Sequence, residues 1–169
     1  QTGLISCWPG TATASPDKFL INIMGTGSHG AAPEASVDVV TVASHIVTNL
    51  NSIVSRNISP YDSAVVSVTR FIADSSLNIL GPKVELGGTI RTKDEEVRAF
   101  IHKRFDEIVS GICQAYGATY EIEMMRGYAP IENDEYVTSV VQETAKELYG
   151  EEVLVRPRTL MAGDDFSAF

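Results

Sequence analysis

Residues 93–117 limit the fold more than any other stretch of this chain. Val97, Phe100, Ile101, Phe105, Ile108, Val109, Ile112, Cys113 and Tyr116 recur at helical spacing, so one side of a helix is apolar and the other is not. Thr92-Lys93-Asp94-Glu95 has the S/T-x-x-E form of a capping box, and Gly117 supplies a stop. A helix with a single apolar stripe must bury it against another layer. A second such stripe, Val39, Val40, Ala43, Ile46, Val47, Leu50, Ile53 and Val54, follows Pro33 and predicts a first helix over about 36–55.

The covering layer is legible between and around these helices. "KFLINIM", 18–24, alternates Phe19, Ile21 and Ile23 against Leu20, Asn22 and Met24, the period of a strand. "AVVSVTRFIA", 64–73, and "KVELGGTIR", 83–91, are rich in β-branched residues and are separated by turn residues including Gly81-Pro82, which predicts an antiparallel pair. "TYEIEMM", 119–125, alternates again, with Tyr120, Ile122 and Met124 on one face. The resulting order, βαββαβ, predicts an α/β (α+β) fold: a two-layer ferredoxin-like sandwich with a four-stranded antiparallel sheet, spanning residues 14–125. "RGYAPIEND", 126–134, breaks the pattern. A third helix is expected after it, with Tyr136, Val137, Val140, Val141, Thr144 and Leu148 inward and Gly150 as its stop.

Composition excludes several roles. The chain has 169 residues, 44% hydrophobic, enough for a core, and a formal net charge of −9 argues against a nucleic-acid partner. No stretch is apolar enough to span a membrane, and no signal peptide is visible at the N-terminus. Cys7 and Cys113 lie far apart without CxxC spacing, which fits a reducing compartment and a cytoplasmic location. The start at Gln1 and the close at "MAGDDFSAF" are read as those of a fragment.

Of the three histidines, His45 and His102 fall off the apolar stripes and are expected in solvent. His29 sits in "GTGSHGAAPE", a loop in which glycines would permit positive φ and close approach of another group. The loop lacks the third glycine of a Rossmann turn and the Gly-Lys-Ser/Thr of a P-loop. No HxH or HExxH spacing occurs, so no metal site is predicted in this chain. On these residues alone, His29 is either a plain surface histidine or a functional group presented at a strand end.

"GTGSHGAAPEASVD", 25–38, resembles the G-x-G-G-H-A-A-x-P-H-x-x-x-D signature of the M20 family of metallopeptidases and amidohydrolases, which includes aminoacylase- and hippurate hydrolase-like enzymes. "IVTNLNSIVSR", "LNILGPKVELGGTIRT" and "MAGDDFSAF" are similar to further family segments, the last to a Met-x-x-Glu-Asp-Phe turn. The chain departs from the pattern at Ser28, Gly30, Glu34 and Gly81. The resemblance implies that 14–125 is the lid, or dimerisation domain, inserted in a catalytic domain. Residues 1–13 would then close that domain's N-terminal half, and 126–169 would be part of its C-terminal segment.

By the same resemblance His29 is the catalytic residue this chain contributes. It would reach a partner subunit's active site and donate a hydrogen bond to the oxyanion of the tetrahedral intermediate. Asn78 and Arg91 match residues that hold the substrate's carboxylate, against the alternative of a turn asparagine and a solvent-facing strand-end arginine. Asp164 and Asp165 match a turn lining the cleft behind the metal ligands, against a merely solvated turn. The full-length parent would carry zinc or another divalent metal, two per site, and hydrolyse the amide bond of N-acyl amino acids or small peptides, while this piece alone would be inactive. Strands two and four should be the sheet edges. Glu121 and Glu123 protect the latter, whereas 64–73 carries only Arg70, so a homodimer through 64–73, helped by helix 36–55, is expected. The competing reading is a stand-alone ferredoxin-like interaction or small-molecule-binding module.

Overall fold

The computed structural model describes residues 3–156 and 161–168. Residues 1–2, 157–160 and 169, which belong to the expected flanking segments, lie outside the described residues.

Four long strands form one antiparallel sheet: β1 (Ser15–Met24), β2 (Ala64–Ala73), β3 (Lys83–Thr92) and β4 (Thr119–Met125). Their order is β2-β3-β1-β4, so β2 and β4 are the edges, as the ferredoxin-like pattern requires. Two helices, α1 (Val39–Ser52) and α2 (Glu95–Tyr116), cover one face. Phe19, Ile21 and Ile23 of β1, Val84, Leu86 and Ile90 of β3, Val42 and Ile46 of α1, and Ile101 and Phe105 of α2 form the core between the layers. Residues of alternate parity lie on the opposite, helix-free face.

The elements match the expected order, with local corrections. β1 begins at Ser15 rather than residue 18. α1 begins at Val39, not 36, because Pro33–Ala35 forms a 3-10 turn and the Asp38 carboxylate caps the Val40 and Thr41 amides at 3.0 and 3.2 Å. It then widens into a π turn over Ile53–Asn57. The expected capping box at Thr92 is replaced by an Asp94 cap: Asp94 accepts from the Glu96 and Val97 amides at 2.8 and 2.9 Å, while Thr92 remains buried in β3. Gly117 takes a left-handed conformation (φ 71°) and stops α2. In β2 a bulge between Val68 and Arg70 switches which residues face the helices: Val66 before it, Phe71 after it.

Residues 3–14 leave the sheet and join the C-terminal part. Gly10–Thr11 pairs with Glu132–Asn133, Ile5 bridges Leu154 in parallel, and the Trp8 indole donates to the Val155 carbonyl at 2.9 Å. A third helix, α3 (Glu135–Tyr149), ends at Gly150 as expected. Its expected inward face is not inward. Tyr136, Val137, Val140, Val141, Thr144 and Leu148 are exposed, and the residues it buries are Thr138 and Ala145. The N-terminal segment covers the other side, where Gln142 donates to the Cys7 carbonyl at 2.5 Å, and no described residue covers the apolar one.

The expectation that His102 is solvated also fails. Asp17, on the helix-facing side of β1, is fully buried and accepts four hydrogen bonds. Arg98 Nε and His102 Nε2 donate at 2.8 Å each, the Gly127 amide at 2.7 Å, and Arg98 Nη2 completes the set. Arg98, itself buried, also donates to Glu95 at 2.6 Å and to the Gly127 carbonyl at 2.9 Å. His45, by contrast, is exposed as expected and stacks on Tyr116.

Burial alone would raise the Asp17 carboxyl, but the hydrogen bonds from His102, Arg98 and Gly127 hold it well below its ordinary value. A depressed folded-state pKa contributes stability in full above the unfolded value, about 3.9, and that stability is lost as pH falls through the folded value. Asp17→Asn should therefore lower unfolding free energy at pH 7 by about 3–5 kcal/mol, because it removes Arg98's buried counter-charge and leaves it only the partly exposed Glu95. Urea unfolding from pH 7 to 2.5 checks this. The gap between wild type and variant should narrow steadily below pH 4, and a gap that does not depend on pH would contradict the assignment.

Candidate functional site

Beyond Met24 the chain leaves the sheet in a loop that is held closely on both sides. The Gly25 amide donates to the Pro82 carbonyl at 2.9 Å, and a Cβ at Gly25 would fall 2.6 Å from the Val37 carbonyl oxygen. A Cβ at Gly27 would stand 2.8 Å from the Leu80 carbonyl. Close approach therefore requires these glycines. The expected positive φ does not, since the positive-φ glycines among the described residues are Gly3, Gly10, Gly117 and Gly150.

Ser28–His29 then forms a two-residue antiparallel ladder with Ile79–Leu80, and the Gly30 amide donates to the Asn78 carbonyl at 2.8 Å. Two of the expected site residues, His29 and Asn78, are thereby joined through the backbone. Asn78 lies in a tight turn in which Ser76 and Ile79 exchange backbone hydrogen bonds at 3.3 and 3.2 Å. Gly81, which replaces the family's proline, fits here because a Cβ would stand 1.4 Å from the Asp74 carbonyl oxygen.

His29 is exposed, and its Nδ1 accepts from the Ala31 amide at 3.1 Å. That bond leaves Nδ1 without a proton, so the neutral ring carries its proton on Nε2 as a donor. On the far side of the loop, the Asp38 carboxylate takes the Thr41 hydroxyl at 2.7 Å as well as the two amides of its cap. Burial pushes the Asp38 carboxyl up, and the Thr41 and backbone bonds outweigh it to hold it below its ordinary value. The loop is an ordered platform for a donor.

Arg91, Asp164 and Asp165 lie elsewhere. Arg91 pairs with Pro16 on one side and Val65 on the other, and its Nε donates to the Thr89 hydroxyl at 3.1 Å. The Ala14 amide donates to the Ala162 carbonyl at 2.8 Å, and a Cβ at Gly163 would meet Pro16 at 2.5 Å, so the 162–164 backbone packs at this same sheet end. Asp164 and Asp165 are exposed, and the Asp164 carboxylate accepts from the Phe166 amide at 2.9 Å. From Pro16 to Met24 the strand runs about 25 Å. The structure thus splits the expected site into two groups at opposite ends of one sheet: His29 with Asn78, and Arg91 with Asp164 and Asp165.

Among the described residues, no three His, Cys, Asp or Glu converge as a metal site, and no helix is long and apolar enough to cross a membrane. Asp164 and Asp165 alone do not make up a metal site. The Asp17–Arg98–His102 network was missed by the sequence reading, although one signal was present: an acid at the same strand parity as Phe19, Ile21 and Ile23.

Comparisons with known proteins bear on the family and the fold. Residues 8–169 match the model of peptidase family M20/M25/M40. The chain is 41% identical over 133 residues to an N-acyl-L-amino acid amidohydrolase of Geobacillus stearothermophilus, covering 79% of this chain and 36% of that protein. It is 38% identical over 163 residues to a hippurate hydrolase of Campylobacter jejuni, covering 95% of this chain and 42% of that one. It superposes on the YXEP protein of Bacillus subtilis, described as a dinuclear metal binding peptidase from the M20 family, with a TM-score of 0.77 at 28% identity, over 98% of this chain and 40% of that one. The chain spans about two fifths of the length of these relatives. With its His29 loop, its sandwich and its C-terminal turn all inside the matched span, the chain belongs to peptidase family M20/M25/M40.

Proposed function

We propose that this chain is the lid, residues 14–125, with flanking catalytic-domain segments, of a metal-dependent amidohydrolase that cleaves the amide bond of N-acyl amino acids or small peptides. The observation that carries the reading is the division of site residues between the two ends of the sheet. A substrate held by Arg91 beside the Asp164–Asp165 turn lies about 25 Å from its own chain's His29. A second copy closes that gap.

β2 runs antiparallel to β3, so its Ala73 end lies beside His29 and Asn78 and its Ala64 end beside Arg91. If β2 pairs antiparallel with its two-fold mate, the Ala73 end of one copy meets the Ala64 end of the other. That places one subunit's His29 and Asn78 on the side of its partner's Arg91. β2 suits the pairing because it is an edge with a single charged residue, Arg70, which is already engaged by Glu85.

In this arrangement His29 Nε2–H donates to the oxyanion that forms as water adds to the scissile carbonyl, and Arg91 pairs with the substrate's carboxylate through its planar fork. The divalent metals, two per site and zinc by family resemblance, would supply the activated water and would be held by residues of the longer protein. The described residues do not provide their ligands. The isolated chain is accordingly expected to be inactive. The names of the amidohydrolase and hippurate hydrolase relatives support N-acyl amino acids as the substrate class.

In the full-length enzyme, His29→Ala should lower kcat by roughly a hundredfold or more, as loss of an oxyanion donor does, with a smaller effect on KM. Arg91→Ala should mainly raise KM. A change in kcat of less than about threefold for His29→Ala would remove the histidine from the mechanism.

Mixing the two variants tests the trans arrangement directly. Each heterodimer would contain one site in which both residues are native, so random re-association should restore about a quarter of wild-type activity. No recovery would place both residues in one chain's site. For the interface, Val65→Lys with Ser67→Lys puts lysines on the helix-free face of β2, where any symmetric pairing sets like charges against each other. Sedimentation at micromolar concentration should show a folded monomer, and an unchanged dimer would rule out this edge.

A further inference from the structure

The helix-free face of the sheet is unevenly charged from one end to the other. Strand register puts Pro16, Lys18, Leu20 and Asn22 of β1 on it, beside Arg91, Thr89 and Glu85 of β3 and Met125, Glu123 and Glu121 of β4. Toward Asn22 the cation Arg70 is paired to Glu85, and Glu121 and Glu123 make this end acidic. Toward Pro16 the cations are not paired. Lys18 lies across from Thr89 on one side and Met125 on the other, and Arg91 is its diagonal neighbour, roughly 7–8 Å away by the spacing of such pairs. The Arg91 Nε donates to the Thr89 hydroxyl at 3.1 Å, so its guanidinium leans along β3 toward Lys18. The Thr89 hydroxyl is itself a donor to the Asp17 carbonyl at 2.8 Å.

Among the described residues neither cation has a carboxylate partner. The nearby Glu95 is taken by Arg98 and Arg126, and Glu123, diagonal to Lys18 on β4, forms no ion pair with it. Two adjacent unpaired cations repel each other. An anion placed between them removes the repulsion. Lys18 also borders a groove of about 570 Å³ lined by Pro16, Met125, Arg126, Gly127 and Tyr128. Its floor is apolar enough for methylenes, and its rim is cationic and phenolic. It opens at the sheet end where Gly163 packs on Pro16, next to the Asp164–Asp165 turn.

We propose that Lys18 is a specificity-determining residue that binds a second carboxylate, so that the preferred substrates are N-acyl derivatives of dicarboxylic amino acids. The proposal rests on the reading of Arg91 as the contact for the substrate's α-carboxylate. Arg91's planar fork suits that fixed, planar group, and the mobile point charge of Lys18 suits a carboxylate at the end of a flexible side chain. The diagonal step from Arg91 to Lys18 is short enough for the side chain of a dicarboxylic amino acid to span, and the groove lies beyond Lys18, on the β4 side.

The test compares N-acetylglutamate with N-acetylglutamine, close in shape and different in side-chain charge, in the full-length metal-loaded dimer. Wild type should favour the glutamate by tenfold or more in kcat/KM. Lys18→Met should reduce that ratio by about tenfold through KM for the glutamate, and Lys18→Glu should invert it. In parallel, the 169-residue chain titrated with glutarate and with butyrate should show stronger binding of glutarate in NMR spectra, lost in Lys18→Met. If both substrates are cleaved but the ratio is near one, or Lys18→Met leaves the ratio unchanged, the assignment of Lys18 is overturned and the amidohydrolase reading stands. If neither substrate is cleaved while glutarate binding depends on Lys18, the cationic site stands and the amidohydrolase reading falls.

Discussion

The Asp17 carboxylate is the point on which the rest of the arrangement depends. It is buried on the helix side of the sheet, where an unpaired charge would be untenable, and it is held there by the Arg98 fork, the His102 ring and the Gly127 amide. These partners come from α2 and from the chain just after β4. One side chain therefore fixes the approach of the first strand, the pitch of the second helix and the path by which the chain leaves the sheet. Pro16 and Arg91 sit directly beside this cluster, and the 162–164 backbone packs on Pro16. The substrate end of the proposed site inherits its geometry from a buried ion pair that touches no substrate.

Most of the sandwich could be read from the sequence because its signals are local. The stripe from Val97 to Cys113 and the alternation through Phe19, Ile21 and Ile23 need only the period of a helix or strand, and the structure packs those residues into the core except Phe100, which stays exposed. The failures occur where the deciding partner is distant in sequence. His102 reads as solvated until Asp17, 85 residues away, is known to sit beneath it. α3 reads as a helix with an inward face because its pattern is correct, yet nothing described covers Val137, Val140 and Val141. Periodicity tells which side wants burial, and only the rest of the structure tells whether something lies against it. The cap at Asp94 rather than Thr92 is a smaller case: both residue types cap helices, and β3 had already claimed the threonine.

The site was legible in part for a related reason. The loop around His29 has a distinctive composition, so the residue stood out. The ladder to Ile79–Leu80, which joins it to Asn78, depends on glycines that let two backbones approach and has no period to betray it. The separation of His29 from Arg91 could not be read from sequence at all. It follows from the antiparallel connection of β1 to β3, which sends the ends of the two strands to opposite edges of the molecule.

The bulge at Thr69 has a consequence for any strand that docks along β2. A regular strand repeats every two residues, so a partner could slide by one repeat and still match side chains with side chains. Across the bulge the facing of the side chains switches, from Val66 and Val68 before it to Phe71 and Ala73 after it. A partner that slides past that point sets its apolar residues against the wrong face. One irregular residue thus serves as an alignment mark, giving an otherwise uniform edge a single preferred phase.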